Sequence, residues 1–339
     1  MPNSVRLPQR ARRDAVSSPI VTRKIIIDTD PGIDDAMAIF LALRSPELEL
    51  IGLTTVFGNV HTALATTNAL RLLEIAGRTD IPVAHGADQP LERAFAGPVP
   101  LIHGEDGQGN TFLPDPSAKP IDSSAAEFIV QQIMDAPGQV TLVPIGPLTN
   151  IALALRLEPR IAQSVREIVL MGGNAFCAGN ATPASEANIH NDPEAAEIVF
   201  GADWSVTMVG LDVTHNIVMT TAQIRTLETA QNPLAQHLSK INPLYLEFVG
   251  SSAEIDGNYI HDPSAILYLT HPQAFTTAKH PVRVETLGIS AGKSWPNPFP
   301  KRVHPDWAGR PDVNICVAVN SSLALNVILE RLGDGETQI

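Results

Sequence analysis

Cysteine is almost missing from this chain: Cys177 and Cys316 are the only two among 339 residues. A disulfide framework is thereby excluded, both thiols read as packing residues, and a reducing compartment, the cytoplasm, is expected. Basic residues are in deficit, 23 against 36 acidic ones, for a formal charge of −13. That balance argues against a nucleic-acid partner, although an acidic protein can still hold a cation tightly. No apolar run is long enough for a signal peptide or a membrane span, so no membrane partner is expected. Internal repeats are lacking, as is any Pro/Gly/Ser-rich linker between two cores.

What is present is distributed unevenly. Residues 1–24 carry Arg6, Arg10, Arg12, Arg13, Arg23 and Lys24 against Asp14 alone, a balance of +5 that leaves −18 for the rest. This stretch is expected to be a disordered basic leader, with an Arg-rich transit peptide as the alternative. Residues 25–335 are expected to form one domain.

Short apolar runs alternate with helical patterns along that domain. Strands are predicted at 24–28 (KIIID), 49–56, 81–84, 139–144 (QVTLVP), 167–171 (EIVLM) and 205–209, with helical spacing at 34–44, 61–76, 123–135 and 148–157. Glu127 is placed to complete a capping box. The alternation predicts an α/β fold: a single open, mostly parallel sheet with helices on both faces. Residues 86–120, 172–192 and 290–312 read as long irregular stretches, and 222–250 as helices that form a lid. In such folds the loops after the strands carry the chemistry.

The densest chemical signal follows the first strand. Asp28-Thr29-Asp30-Pro31-Gly32-Ile33-Asp34-Asp35 places four carboxylates in eight residues. Charges of one sign this close repel unless a cation sits among them, and calcium or magnesium prefers such oxygen ligands. Pro31-Gly32 gives a sharp turn that folds Asp30 and Asp35 towards one point. A solvated acidic turn with Asp34 at the helix entrance accounts for one or two of these acids, not for four.

The segment DTDPGIDDA resembles the signature of the inosine–uridine preferring nucleoside hydrolase family. The likeness continues in order through residues 142–152 (LVPIGPLTNIA), Met171-Gly172-Gly173, Asn180-Ala181-Thr182-Pro183 with Glu186 and Asn188, residues 210–214 (GLDVT) and His261-Asp262-Pro263. It runs from about residue 25 to 270, is less specific beyond, and does not include the leader.

The resemblance implies a nucleoside hydrolase domain with a Rossmann-like core that splits ribonucleosides into ribose and free base. It implies one calcium ion held by Asp30, Asp35, Asp262 and the backbone carbonyl of Ile145, and a calcium-bound water with Asp30 as its general base. Asp34, Asn59, Asn180, Glu186 and Asn188 are implied as ribose contacts and His261 as the leaving-group acid; His103, in a Gly-flanked loop (102–107) able to approach the pocket, is expected to contact base or ribose. Asp28 is expected to support the shell by accepting hydrogen bonds. A homodimer or homotetramer is implied as well. On the nucleobase side, residues 244–258 offer Tyr245 and Phe248 and leave purine or pyrimidine preference open.

Two other readings are open at this stage. Asp28-Thr29-Asp30 superficially resembles the nucleophile motif of haloacid-dehalogenase-type phosphatases, though Pro31-Gly32 departs from their usual continuation. A non-catalytic nucleoside- or ribose-binding protein would also use a polar, cation-holding pocket.

Overall fold

The computed structural model describes residues 22–253, 255–299, 302 and 304–333. The leader expected at residues 1–24 lies outside them as far as residue 21; Arg23 and Lys24 are the first two residues of a strand. Eleven strands occur among the described residues: β1 Arg23–Thr29, β2 Leu48–Thr55, β3 Val83–Ala84, β4 Val140–Pro144, β5 Glu167–Met171, β6 Val206–Val209, β7 Val218–Met219, β8 Asn258–Tyr259, β9 Phe275–Val284, β10 Ser294–Pro296 and β11 Asp312–Val319. Nine of them form one open sheet in the order β10-β9-β11-β6-β5-β4-β1-β2-β3, and β7 and β8 pair separately.

From β3 to β11 the neighbours run parallel; β9 and β10 add antiparallel pairs at the far edge. The expected mostly parallel sheet with helices on both faces is therefore present.

Strand β1 shows why both faces are covered. Its period of two sends Ile25 and Ile27 into one apolar cluster and Ile26 into the other. The first cluster takes the helices Ile33–Leu43, Pro233–Ala253 and Pro263–Thr270; the second takes Ala125–Asp135, Thr149–Leu157 and Pro193–Gly201. Ser124 and Glu127 form the expected capping box at the start of Ala125–Asp135. The stretch 222–250 contains the helices Thr221–Glu228 and, for the most part, Pro233–Ala253, and the second buries Leu234, Leu238, Ile241, Tyr245 and Val249 at helical spacing. Among the described residues no helix is long and apolar enough to cross a membrane.

Chain order changes direction at β1. Strand β2 lies on one side and β4 on the other, so the loops leaving β1 and β4 diverge and open a crevice at their carboxyl ends, the usual ligand position in open α/β sheets. The turn 30–35 leaves β1 into this crevice and Ile145 leaves β4 beside it. The ladder persists there: the amides of Ile145 and Gly146 donate to the Asp28 carbonyl at 2.8 and 3.3 Å.

Candidate active site

The acidic turn is built by its own hydrogen bonds. Asp35 accepts from Thr29 Oγ1 at 2.5 Å, the Gly32 amide at 2.9 Å and Asn59 Nδ2 at 2.9 Å, which locks one carboxylate at the first turn of Ile33–Leu43. Asp30 accepts the Asn59 amide at 2.6 Å through Oδ2. Its Oδ1 is buried without a partner and points at Gly146, where a Cβ would stand 2.6 Å away. Asp34 Oδ1 is likewise buried and unpartnered. Asp28 accepts from Thr54 Oγ1 at 2.5 Å and Asn150 Nδ2 at 2.8 Å, tying β1 to β2 and to the helix after β4.

Asp262 reaches the same crevice from the far end of the chain, at the N-terminus of Pro263–Thr270. One oxygen each from Asp34, Asp35 and Asp262 lie within 4.8 Å of one another. Asp34, implied as a ribose contact, thus stands inside the tightest group of acids. Asp30 stands beside it, close enough for its charge to bear on Asp262.

Burial pushes the Asp28 and Asp34 carboxyls up to about 7, with repulsion from Asp35 adding to the effect on Asp34. Burial, then neighbouring carboxylates, hold Asp30 and Asp262 well above the ordinary range. Such a group has two stable states: protonated, or charged around a cation. Hard oxygen donors with unpartnered buried lone pairs fit a divalent cation of the calcium or magnesium kind.

Of the residues implied as ribose contacts, Asp34 and Asn59 belong to the acidic turn, and Asn180, Glu186 and Asn188 come together on a second wall. Glu186 is buried and caps the helix Ala187–Asn191, accepting from the amides of Asn188 (2.9 Å) and Ile189 (3.0 Å), and also from Gly173 (2.8 Å). Asn188 Nδ2 donates to the carbonyl of Ile145 at 2.8 Å and to that of Met171 at 3.2 Å. The carbonyl implied as a cation ligand therefore touches an implied ribose contact. Asn180 is exposed, and its Oδ1 accepts the Ala187 amide at 3.0 Å.

Two histidines complete the crevice. His103 Nδ1 accepts the Ile33 amide at 3.1 Å, and its ring lies 6.3 Å from that of Tyr245. His261 Nδ1 pairs with Thr214 Oγ1 at 2.9 Å, and its ring lies 5.5 Å from Tyr259 and 5.6 Å from His215. Burial lowers both histidines to about 3, so each is neutral near pH 7.

Sequence reasoning did not single out Thr214, Tyr259, Asn242 or Asn258. Asn258 is buried, donates through Nδ2 to Asn242 Oδ1 at 2.6 Å and keeps an unpartnered Oδ1. These residues line or adjoin a narrow cleft with Asp34 and Tyr245. Thr214 lies in the segment 210–214 that resembles the family and Asn258 ends the stretch 244–258, but nothing local marks any of the four individually, since their roles arise from long-range packing.

The model of the family described as inosine-uridine preferring nucleoside hydrolase matches residues 25–326. The chain belongs to this family. A probable uridine nucleosidase 2 of Arabidopsis thaliana is 47% identical over 313 residues, covering 91% of this chain and 97% of its own. The inosine-uridine preferring nucleoside hydrolase of Crithidia fasciculata is 41% identical and covers 92% of this chain and 99% of its own. Among solved structures, a plant nucleoside hydrolase superposes with a TM-score of 0.90 at 41% identity, covering 92% and 99% of the two chains. As a nucleoside hydrolase, the chain acts on small-molecule nucleosides and cleaves the N-glycosidic bond of ribonucleosides. These matches lend no support to the phosphatase or binding-protein readings.

Proposed function

We propose that this nucleoside hydrolase works through a water molecule activated by Asp30 in a crevice that holds calcium. The observation that carries this reading is the meeting of Asp34, Asp35 and Asp262 within 4.8 Å, beside the unpartnered Asp30 Oδ1. Asp30, Asp35, Asp262 and the Ile145 carbonyl would hold the ion. When bound, calcium neutralises these carboxylates, binds substrate oxygens and makes water more acidic.

Each protein group has a separate task. Asp30 Oδ1 accepts a proton from the attacking water as the anomeric carbon gains oxocarbenium character, the role of the base in inverting glycoside hydrolysis. Asp34, Asn59, Asn180, Glu186 and Asn188 orient the ribose; Glu186 acts largely by fixing the backbone that presents Asn188. His103 and Tyr245 face the base side. His261 gives a proton to the departing base, and its partner Thr214 fixes the ring. The uridine nucleosidases among the relatives support uridine as a substrate. Low cysteine content supports a cytoplasmic setting, and the family resemblance supports a homodimer or homotetramer.

The sugar tests this reading. A crevice built to pair vicinal hydroxyls leaves polar groups unpaired when one hydroxyl is missing, at ~1–3 kcal/mol per group. Uridine should be cleaved at least about tenfold better than 2′-deoxyuridine in kcat/KM, through Asp34 and Asn188. Equal values for the two would contradict the assigned ribose wall.

A further inference from the structure

The helix Pro233–Ala253 is fastened to the acidic turn by a side-chain bridge that the mechanism above does not use. Gln108 is buried in the loop that follows His103. Its Nε2 donates to the carbonyls of Gly32 at 2.9 Å, Gly107 at 3.0 Å and Pro31 at 3.3 Å. That orientation leaves Oε1 as an acceptor, and His237 Nε2 stands 3.0 Å from it. His237 therefore carries its proton on Nε2 and donates it to Gln108.

The surroundings make this bridge stiff. His237 is buried and packs edge-on against Phe40 with ring centres 6.0 Å apart. Gly107 has φ +71°, and a Cβ there would stand 2.7 Å from Val60 Cγ1 and 3.2 Å from the Pro31 carbonyl oxygen, so the loop lies directly on the turn. Asn68 Nδ2 adds a second tie, donating to the Asp106 carbonyl at 2.9 Å and the Pro31 carbonyl at 3.2 Å. About two helical turns beyond His237, Tyr245 lines the narrow cleft that Asp34 also lines.

We propose that Gln108 and His237 are positioning residues that couple the base-side helix to the acidic turn, so that a nucleobase beneath Tyr245 and a cation among the acids each favour the binding of the other. One amide serves both ends. A shift of the helix moves Oε1, and with it the Nε2 that sets the Pro31 and Gly32 carbonyls; the influence runs equally in reverse. The cation half of this statement rests on the function proposed above.

The test compares wild type with Gln108→Ala, His237→Phe, His237→Gln and the Gln108→Ala/His237→Phe double variant. Uridine kcat and KM are measured, together with calorimetric titration of metal-stripped protein with calcium alone and melting curves to verify folding. Loss of the one hydrogen bond between them predicts that His237→Phe raises uridine KM and calcium Kd about tenfold, and Gln108→Ala, which also removes the Nε2 contacts to Pro31, Gly32 and Gly107, by at least as much, with kcat changed less than about threefold. The double variant should be no worse than Gln108→Ala, because both changes break one link. His237→Gln restores a donor and should recover most of both losses. If His237→Phe fails to fold, Gln108→Ala and His237→Gln carry the comparison. Unchanged KM and calcium Kd in folded Gln108→Ala, alongside normal calcium binding by wild type, would overturn the coupling alone. A wild-type protein that binds no calcium would overturn the cation site and the coupling to it.

Discussion

Replacing Asp30 by Asn is expected to remove roughly 10²–10⁴-fold of kcat with every nucleoside, because that is what a general base contributes and water activation is common to all substrates. The change is nearly isosteric. The Asn59 amide, which now donates to Asp30 Oδ2 at 2.6 Å, keeps an amide oxygen to bond, so the turn should persist. What is lost is the acceptor at Oδ1, buried and unpartnered over Gly146. An amide NH₂ there cannot take a proton from water. Asp30 is also a proposed cation ligand, so calcium content is measured with the rate. Full calcium occupancy with a kcat within tenfold of wild type would remove Asp30 from the base role.

His261→Ala should behave differently, because its effect depends on the leaving group. A natural nucleobase needs a proton as it departs, so the variant should lose roughly 10²–10⁴-fold in kcat/KM with uridine. With p-nitrophenyl riboside, whose leaving group is stable as an anion, the loss should be much smaller. Burial keeps the His261 ring neutral, at about 3. Negative charge developing on the departing base raises its affinity for a proton, so the ring takes up a proton from solvent, passes it to the base and returns to its neutral state, while the contact with Thr214 Oγ1 holds it in place. The comparison therefore separates proton donation from ring packing against Tyr259 and His215. Equal losses with both substrates would make His261 a structural or ribose-positioning residue.

Much of the fold was legible in the sequence because its signals are local. Ile25-Ile26-Ile27 ends in acids and a Pro-Gly turn, and β1 with its crevice follows. The edge of the sheet was not legible. Strand β9 reads FTTAKHPVRV, with exposed Thr276, Thr277 and Lys279 breaking any apolar alternation. It is held instead by antiparallel pairing with β11 and β10. Strand β10 is three residues long and lies inside a stretch that reads as irregular.

In the site, the clustered acids announced themselves chemically, whereas Ile145, His261 and Asp262 stood out only through family resemblance. Glu186 shows how one residue serves both readings: its carboxylate caps a helix and thereby aims Asn188. Gln108, His237 and Asn258 carried no local signal, because a buried amide or imidazole is recognisable only from the partner that packing supplies.

The most direct measurement is release of free base and ribose from uridine by metal-stripped protein, followed as calcium is returned. The unpartnered oxygens on Asp30 and Asp34 and the convergence of Asp34, Asp35 and Asp262 predict almost no release after stripping and full recovery at a calcium occupancy of one ion per chain. Undiminished release from protein shown to be free of divalent metal would contradict the account.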